Sequence, residues 1–271
     1  MDRIDNDASL RGGSSIELVT VSNPDNDSNK QLLCHEEESP LIRPQLRFER
    51  TNDRFVHLHT AVEYLATPAA IRTHELMDRS LFDGQQSVIM GVTSAVAGEG
   101  KSTIALHLAM SIAKNSFKTV CLIDLSLSRS TLADRLGCAG TMGVVDVLDG
   151  ESNTVTTIQS DECKGFYFIP AGKDPENPNR IARSPYIAEV FAACRELYDV
   201  VVVELPSVAS GNVLPIKPYI DAIMMVVWSG VTPREVVHSS LEKLGRDKVM
   251  GVVMNRSKDH VPTGVRSMFR I

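Results

Sequence analysis

Apolar positions along the chain follow two alternating rhythms. Short runs of aliphatic and β-branched residues occur at 88–92, 119–124, 166–169, 200–204, 222–228 and 249–255, each bounded by polar or turn residues. Runs of this length and make-up predict strands. Four consecutive valines, Val200 to Val203, suit a strand covered on both faces. Helical spacing fills the intervals. Ile104, Leu106, Leu108, Met110 and Ile112 alternate with small residues, predicting a helix that is apolar nearly all round and therefore buried, with His107 packed rather than ligating. Further helices are expected from Pro185 to Leu197 and from about Pro233 to Leu244, the latter with Thr232 as its cap. Strand and helix alternate throughout, which predicts an α/β fold: a doubly wound, mainly parallel sheet with helices on both faces.

Upstream the pattern changes. Residues 1–45 are rich in Asn, Asp, Ser and Glu and offer little to a core, so a disordered tail is expected there. Phe55, Leu58, Val62 and Leu65 return to helical spacing, and Thr67-Pro68 reads as a cap opening a second helix to about Leu81. Residues 46–84 are therefore expected to be a helical segment, and 85–271 the main domain.

Composition narrows the function. Thirty-four acidic against 28 basic residues give a net charge of −6, which argues against generic nucleic-acid binding. Cys34, Cys121, Cys138, Cys163 and Cys194 show no C-x-x-C pair, so reduced thiols are expected rather than a disulfide frame or zinc site. His57, His59 and His74 lack accompanying carboxylates or cysteines and read as surface residues. Neither a signal peptide nor an apolar run near the ~18 residues of a membrane span is evident. A cytoplasmic protein, peripheral at a membrane only through a partner, is the expectation.

The chemistry concentrates between Ser87 and Thr103, S-V-I-M-G-V-T-S-A-V-A-G-E-G-K-S-T. A strand passes through small residues into Gly98-Glu99-Gly100-Lys101-Ser102-Thr103 and a helix start, the layout of a phosphate-binding loop. Backbone N–H groups from Ala97 to Thr103 can surround phosphate oxygens, Lys101 adds a charge, and Ser102 offers a hydroxyl to Mg²⁺. Ala95 stands where the general pattern has its first glycine, tolerable while its φ stays negative. Asp124 and Glu204 end two other strands, and the three features converge if those strands lie side by side. Phosphoryl chemistry requires such a set: a phosphate cradle, a hydroxyl on the metal and acids to hold it.

From Ser87 to Asn255 the sequence resembles the cytoplasmic catalytic domain of the bacterial tyrosine kinases of capsule and exopolysaccharide synthesis, relatives of partition and septum-site ATPases. V-T-S-A-V-A-G-E-G-K-S-T, C-L-I-D-L-S-L-S-R-S and Y-D-V-V-V-V-E-L-P-S resemble the three nucleotide motifs in order, and G-V-V-M-N-R the adenine-side strand end. P-A-G-K-D-P-E-N-P resembles the segment before the next helix. The resemblance implies a P-loop NTPase fold that binds ATP or ADP with Mg²⁺. Lys101, Asp124 and Glu204 would serve catalysis; Ser102, Asp124 and Glu204 would hold the metal. Ala97, Gly98, Glu99, Gly100, Lys101, Ser102, Thr103, Asn255 and Arg256 would bind nucleotide. It also implies a membrane-embedded polysaccharide chain-length regulator or export protein as partner, and admits a homo-oligomer.

Departures from the family pattern are equally specific. Where its second motif places two aspartates one residue apart, this chain has Asp124 and Ser126, and serine is no base at pH 7. Glu204 replaces an aspartate, moving the charge out by one methylene. No tyrosine follows Tyr219, so the tail offers no phosphate acceptor, and of the ring-packing motif expected near 66–72 only Arg72-Thr73 survives. The implied function is a nucleotide-binding homologue of the autokinase with weakened or lost phosphoryl transfer and a regulatory role. Alternatives are an active autokinase in which Glu204 or Glu99 compensates for Ser126, a partition- or septum-type ATPase, and a nucleotide-independent scaffold for a membrane partner. The partition group's signature lysine would fall at Val96.

Overall fold

The computed structural model describes residues 46–51, 87–127, 132–160 and 163–256. The strands are β1 (Arg47–Thr51), β2 (Val88–Ser94), β3 (Val120–Asp124), β4 (Thr154–Gln159), β5 (Phe166–Ile169), β6 (Val200–Glu204), β7 (Ala222–Trp228) and β8 (Val249–Asn255). The helices are α1 (Lys101–Asn115), α2 (Leu132–Leu136), α3 (Val144–Leu148), α4 (Pro178–Ile181), α5 (Ile187–Leu197), α6 (Val213–Ile216) and α7 (Arg234–Leu244). One sheet takes the order β1-β4-β5-β3-β6-β2-β7-β8. From β5 to β8 every pairing is parallel; β4 is antiparallel to β5, and β1 is parallel to β4. The doubly wound, mainly parallel expectation holds.

Alternate residues of the central strands feed two cores. Met90, Val92, Leu122, Val200 and Val202 pack with α1 and α2 on one face; Ile89, Ile123, Val201 and Val203 pack with α3, α5 and α6 on the other. That is why valine can occupy four successive positions of β6, all wholly buried. Each such side chain contributes about 1.5–3 kcal/mol of transfer free energy. Cys121, Cys138, Cys163 and Cys194 are buried and form no disulfide, and burial lifts the Cys194 thiol to about 12.

Three expectations need correction. Residues 47–51 belong to a strand, not to a helical segment beginning at 46: Phe48 turns toward the core while Arg47 and Glu49 are exposed, a period-two pattern too short to stand out. The strand β4 was not expected at all, because Val155 and Ile158 lie three apart and face opposite cores. Thr232 does not cap α7; Pro233 takes that place without a side-chain cap bond. The tail at 1–45, the helices expected over 55–81, His57, His59, His74, Cys34 and the 66–72 motif lie outside the described residues. Among the described residues no helix is long and apolar enough to cross a membrane.

Candidate nucleotide site

The order β3-β6-β2 sets three strand ends beside one another at the carboxyl edge of the sheet. Asp124 and Glu204 are register partners, and Glu204 also pairs with Val92, two residues before β2 ends. Sheet register alone therefore brings the two acids and the phosphate loop together.

Gly98 and Gly100 have φ of +86° and +92°, the left-handed region that glycine enters freely. A Cβ on Gly100 would lie 2.2 Å from Asn255 Nδ2, so the position also requires the missing side chain. Gly100 caps α1, whose first N–H groups have no intrahelical acceptor and concentrate positive potential at the loop. Ala95 is fully buried and does not have positive φ, so it replaces the first glycine without strain.

Glu204 is the hub. Its Oε1 accepts from Lys101 Nζ and from Ser102 Oγ, each at 2.6 Å. Burial raises its pKa; the Lys101 cation opposes that shift, and the Asp124 charge adds to it. Ser126 is buried, and its N–H donates to Asp124 Oδ1 at 3.2 Å. Leu127 follows with φ of +53°, a strained conformation for a side chain branched at Cγ.

These groups border a cavity of about 420 Å³ lined by Ala97, Gly98, Gly100, Lys101 and Ser102 of the loop, by Ser126, Leu127 and Glu204, and by Ser207, Ser210 and Asn212 beyond β6. Its size suits a small-molecule site. Asn212 is 7% exposed and its buried Oδ1 has no hydrogen-bond partner, a polar atom that a polar ligand or its water can satisfy. A cradle of N–H groups, a lysine, hydroxyls and the Glu204 carboxylate, with Asp124 fully buried as its register partner on β3, form a donor set that fits a nucleotide phosphate chain with Mg²⁺. A larger cavity of about 760 Å³ opens at the amino edge. There Arg195 is paired with Asp221 at 2.7 Å, and Asp199 accepts from the Thr119 N–H and hydroxyl, so these three charges serve the fold.

The remaining expected residues behave differently. Ala97 and Gly98 line the cavity, and Thr103 Oγ1 accepts from Arg135 Nη1 at 3.0 Å. Glu99 is expected to bind nucleotide or, in the active-kinase alternative, to substitute for Ser126; its carboxylate does neither here, being 1% exposed and engaged with backbone N–H groups outside the residues that line the cavity. Asn255 donates to the Glu99 carbonyl at 2.8 Å, and the Arg256 guanidinium stacks 4.1 Å from the Trp228 ring centroid. Asn212, Ser207 and Ser210 were missed, since nothing in their local pattern marks a turn after a strand as a cavity wall.

No protein-family model matches the chain. Among curated proteins it is 28% identical to tyrosine-protein kinase CpsD of Streptococcus agalactiae, over 67% of this chain and 81% of that one. It is 31% identical over 181 residues to tyrosine-protein kinase YwqD of Bacillus subtilis, covering 65% of this chain and 75% of the relative. The chain belongs to the bacterial tyrosine kinase family. A larger member, the succinoglycan biosynthesis transport protein ExoP of Rhizobium meliloti, is 30% identical over 69% of this chain but only 24% of its own length. The VpsO kinase domain superposes with a TM-score of 0.62 at 28% identity, covering 74% of this chain and 96% of that domain. The septum site-determining protein MinD of Pyrococcus horikoshii, solved with Mg-ADP, shares the fold at a TM-score of 0.50 and 17% identity, over 67% of this chain and 76% of its own. The fold of this chain is thus the P-loop fold shared by the VpsO kinase domain and the septum site-determining protein.

Proposed function

We propose that this protein binds Mg-ATP and Mg-ADP as a cytoplasmic regulatory homologue of the exopolysaccharide tyrosine autokinases, with phosphoryl transfer weakened or lost. The observation that carries the reading is the contrast at one cavity: Lys101 and Ser102 converge on Glu204, while the wall position resembling the family's activating aspartate is Ser126. Ser102, Asp124 and Glu204 would hold Mg²⁺, which when bound neutralises phosphate charge. Lys101 and the loop N–H groups would bind the phosphate oxygens. Glu204 accepts the Lys101 and Ser102 donors and so sets their positions. Ser126 can donate or accept a hydrogen bond but cannot take a proton at neutral pH, so the attacking hydroxyl lacks a base at that wall.

The partner fits the relatives. ExoP is by its name a biosynthesis transport protein, and this chain matches 24% of it, so a membrane-embedded chain-length regulator or export protein is the proposed partner. Two measurements test the reading. Calorimetric titration should show saturable Mg-ATP binding, and absence of binding at millimolar nucleotide defeats it. Incubation with radiolabelled ATP should give little or no incorporation; label comparable to an active autokinase, lost in Lys101→Ala, would replace it with the active-enzyme reading. Glu99 cannot rescue catalysis in that case, because its carboxylate is occupied elsewhere.

A further inference from the structure

An acid in the middle of a phosphate-binding loop is electrostatically out of place unless it is turned from the phosphates. Glu99 is turned, and its burial comes with a full set of donors. Its Oε2 accepts from the Val96 N–H at 2.9 Å, spanning the loop from inside. Its Oε1 accepts from the Trp228 N–H at 3.1 Å and from the Thr232 hydroxyl. Thr232 Oγ1 in turn accepts from the same Trp228 N–H at 3.2 Å. From the other side, Asn255 holds the Glu99 carbonyl and fills the space that a Gly100 side chain would need.

We propose that Glu99 and Thr232 are positioning residues: a buried clamp that fastens the phosphate loop to the end of β7 and holds it in its phosphate-binding shape before nucleotide arrives. The clamp rests on the reading that this loop binds a nucleotide phosphate chain. Its logic is that of preorganisation. A loop with glycines at 98 and 100 has wide conformational freedom, and ordering it on binding weakens affinity. Fixing Val96 and Glu99 to a strand end removes part of that freedom in advance. The Asn255 bond adds a tie from the phosphate loop to the end of β8, beside which Arg256 stacks on Trp228.

The chemistry discriminates between substitutions. In Glu99→Gln the side chain presents an acceptor to one set of donors and an NH₂ to the other, so one N–H group is opposed by a donor. Thr232→Val keeps the volume and removes the hydroxyl; Thr232→Ser keeps the hydroxyl. Mg-ATP dissociation constants should be measured by calorimetry on the full chain, at a temperature where circular dichroism shows each variant folded. Thr232→Val should weaken binding by roughly tenfold and Glu99→Gln by more, whereas Thr232→Ser should stay within about threefold of wild type. A residue that merely supports the fold would lower the melting temperature without this pattern at the lower temperature.

Amide hydrogen exchange on the nucleotide-free wild type provides a test that survives a misfolded variant. The Val96 and Trp228 amides should be protected without ligand; rapid exchange at both overturns the clamp. Equal Mg-ATP affinity in folded Glu99→Gln, Thr232→Val and wild type also overturns it and leaves the nucleotide reading standing. Failure of the wild type to bind Mg-ATP overturns the nucleotide reading, and the clamp falls with it.

Discussion

The loop wall of the cavity and the wall that faces it use their polar groups differently. On the loop side, Lys101 and Ser102 meet Glu204, the Glu99 carboxylate is engaged by N–H and hydroxyl donors, and Asn255 braces the backbone. On the facing side, Ser126, Ser207 and Ser210 supply hydroxyls, Asn212 leaves a buried oxygen without a partner, and Leu127 sits at positive φ. The first wall gathers the N–H groups and the cation that the proposed phosphate site requires. The second has polarity but, apart from Glu204, no acid among its cavity-lining residues. Because the two walls come from different segments, 96–103 against 126–127 and 206–212, substitution can remove chemistry from one while leaving binding on the other.

The comparison breaks most directly at Lys101. Lys101→Ala deletes the loop's cation and leaves Glu204 buried without its charged partner, a loss on the order of 3 kcal/mol. Mg-ATP affinity should fall by about a hundredfold by calorimetry. A fall of less than about threefold would mean that the loop wall does not carry binding.

Gly100→Ala should come next. It forces a Cβ into a φ of +92° and against Asn255 Nδ2, at a strain of roughly 1–2 kcal/mol before Asn255 moves. Affinity should drop by about tenfold and the melting temperature should fall as well. Unchanged values for both would show that the brace from β8 is dispensable.

How much of this could be read from the chain follows from what each feature depends on. The central strands and the α1 pattern depend on local periodicity, and Val200 to Glu204 or Ile104 to Ile112 show it plainly. Parallel topology puts the ends carrying Asp124 and Glu204 on one edge of the sheet, and the observed order β3-β6-β2 is what makes them neighbours. β1 and β4 escaped because R-F-E-R-T and T-V-T-T-I-Q hold too few apolar residues to set a period. The Glu99 clamp escaped for another reason. A glutamate between two glycines reads as solvent-facing, and only the tertiary placement of Trp228 and Thr232, well over a hundred residues away, makes it buried and satisfied.

A smaller effect tests the hub that joins the walls. Burial raises the folded-state pKa of Glu204 above the ordinary 4.5, so the native protein binds this proton more tightly than the unfolded chain. Its contribution to stability is full below 4.5 and is lost as pH rises through the folded value. Glu204→Gln mimics the protonated form and lacks that dependence. Thermal melts from pH 4.5 upward should therefore show wild type losing ground to Glu204→Gln as pH rises. A difference that is flat, or of opposite sign, would mean that the Lys101 cation outweighs burial.

The smallest change in affinity belongs to Ser126→Asp, and it separates the walls most cleanly. The substitution adds a carboxylate two residues from Asp124 on the wall that faces the loop, leaving Lys101, Ser102, Glu99 and Asn255 as they are. Mg-ATP affinity should stay within about threefold of wild type, because a like charge near Glu204 and Asp124 is offset once Mg²⁺ is bound. Turnover should respond instead: a positioned base contributes about a hundredfold or more, so any trace of label transfer or hydrolysis should rise by that order. Measuring both on one preparation distinguishes the cases. If binding shifts and turnover does not, Ser126 stands beside the phosphates rather than beside the attacking group. If turnover rises at constant affinity, the missing carboxylate on the facing wall limits phosphoryl transfer, as proposed.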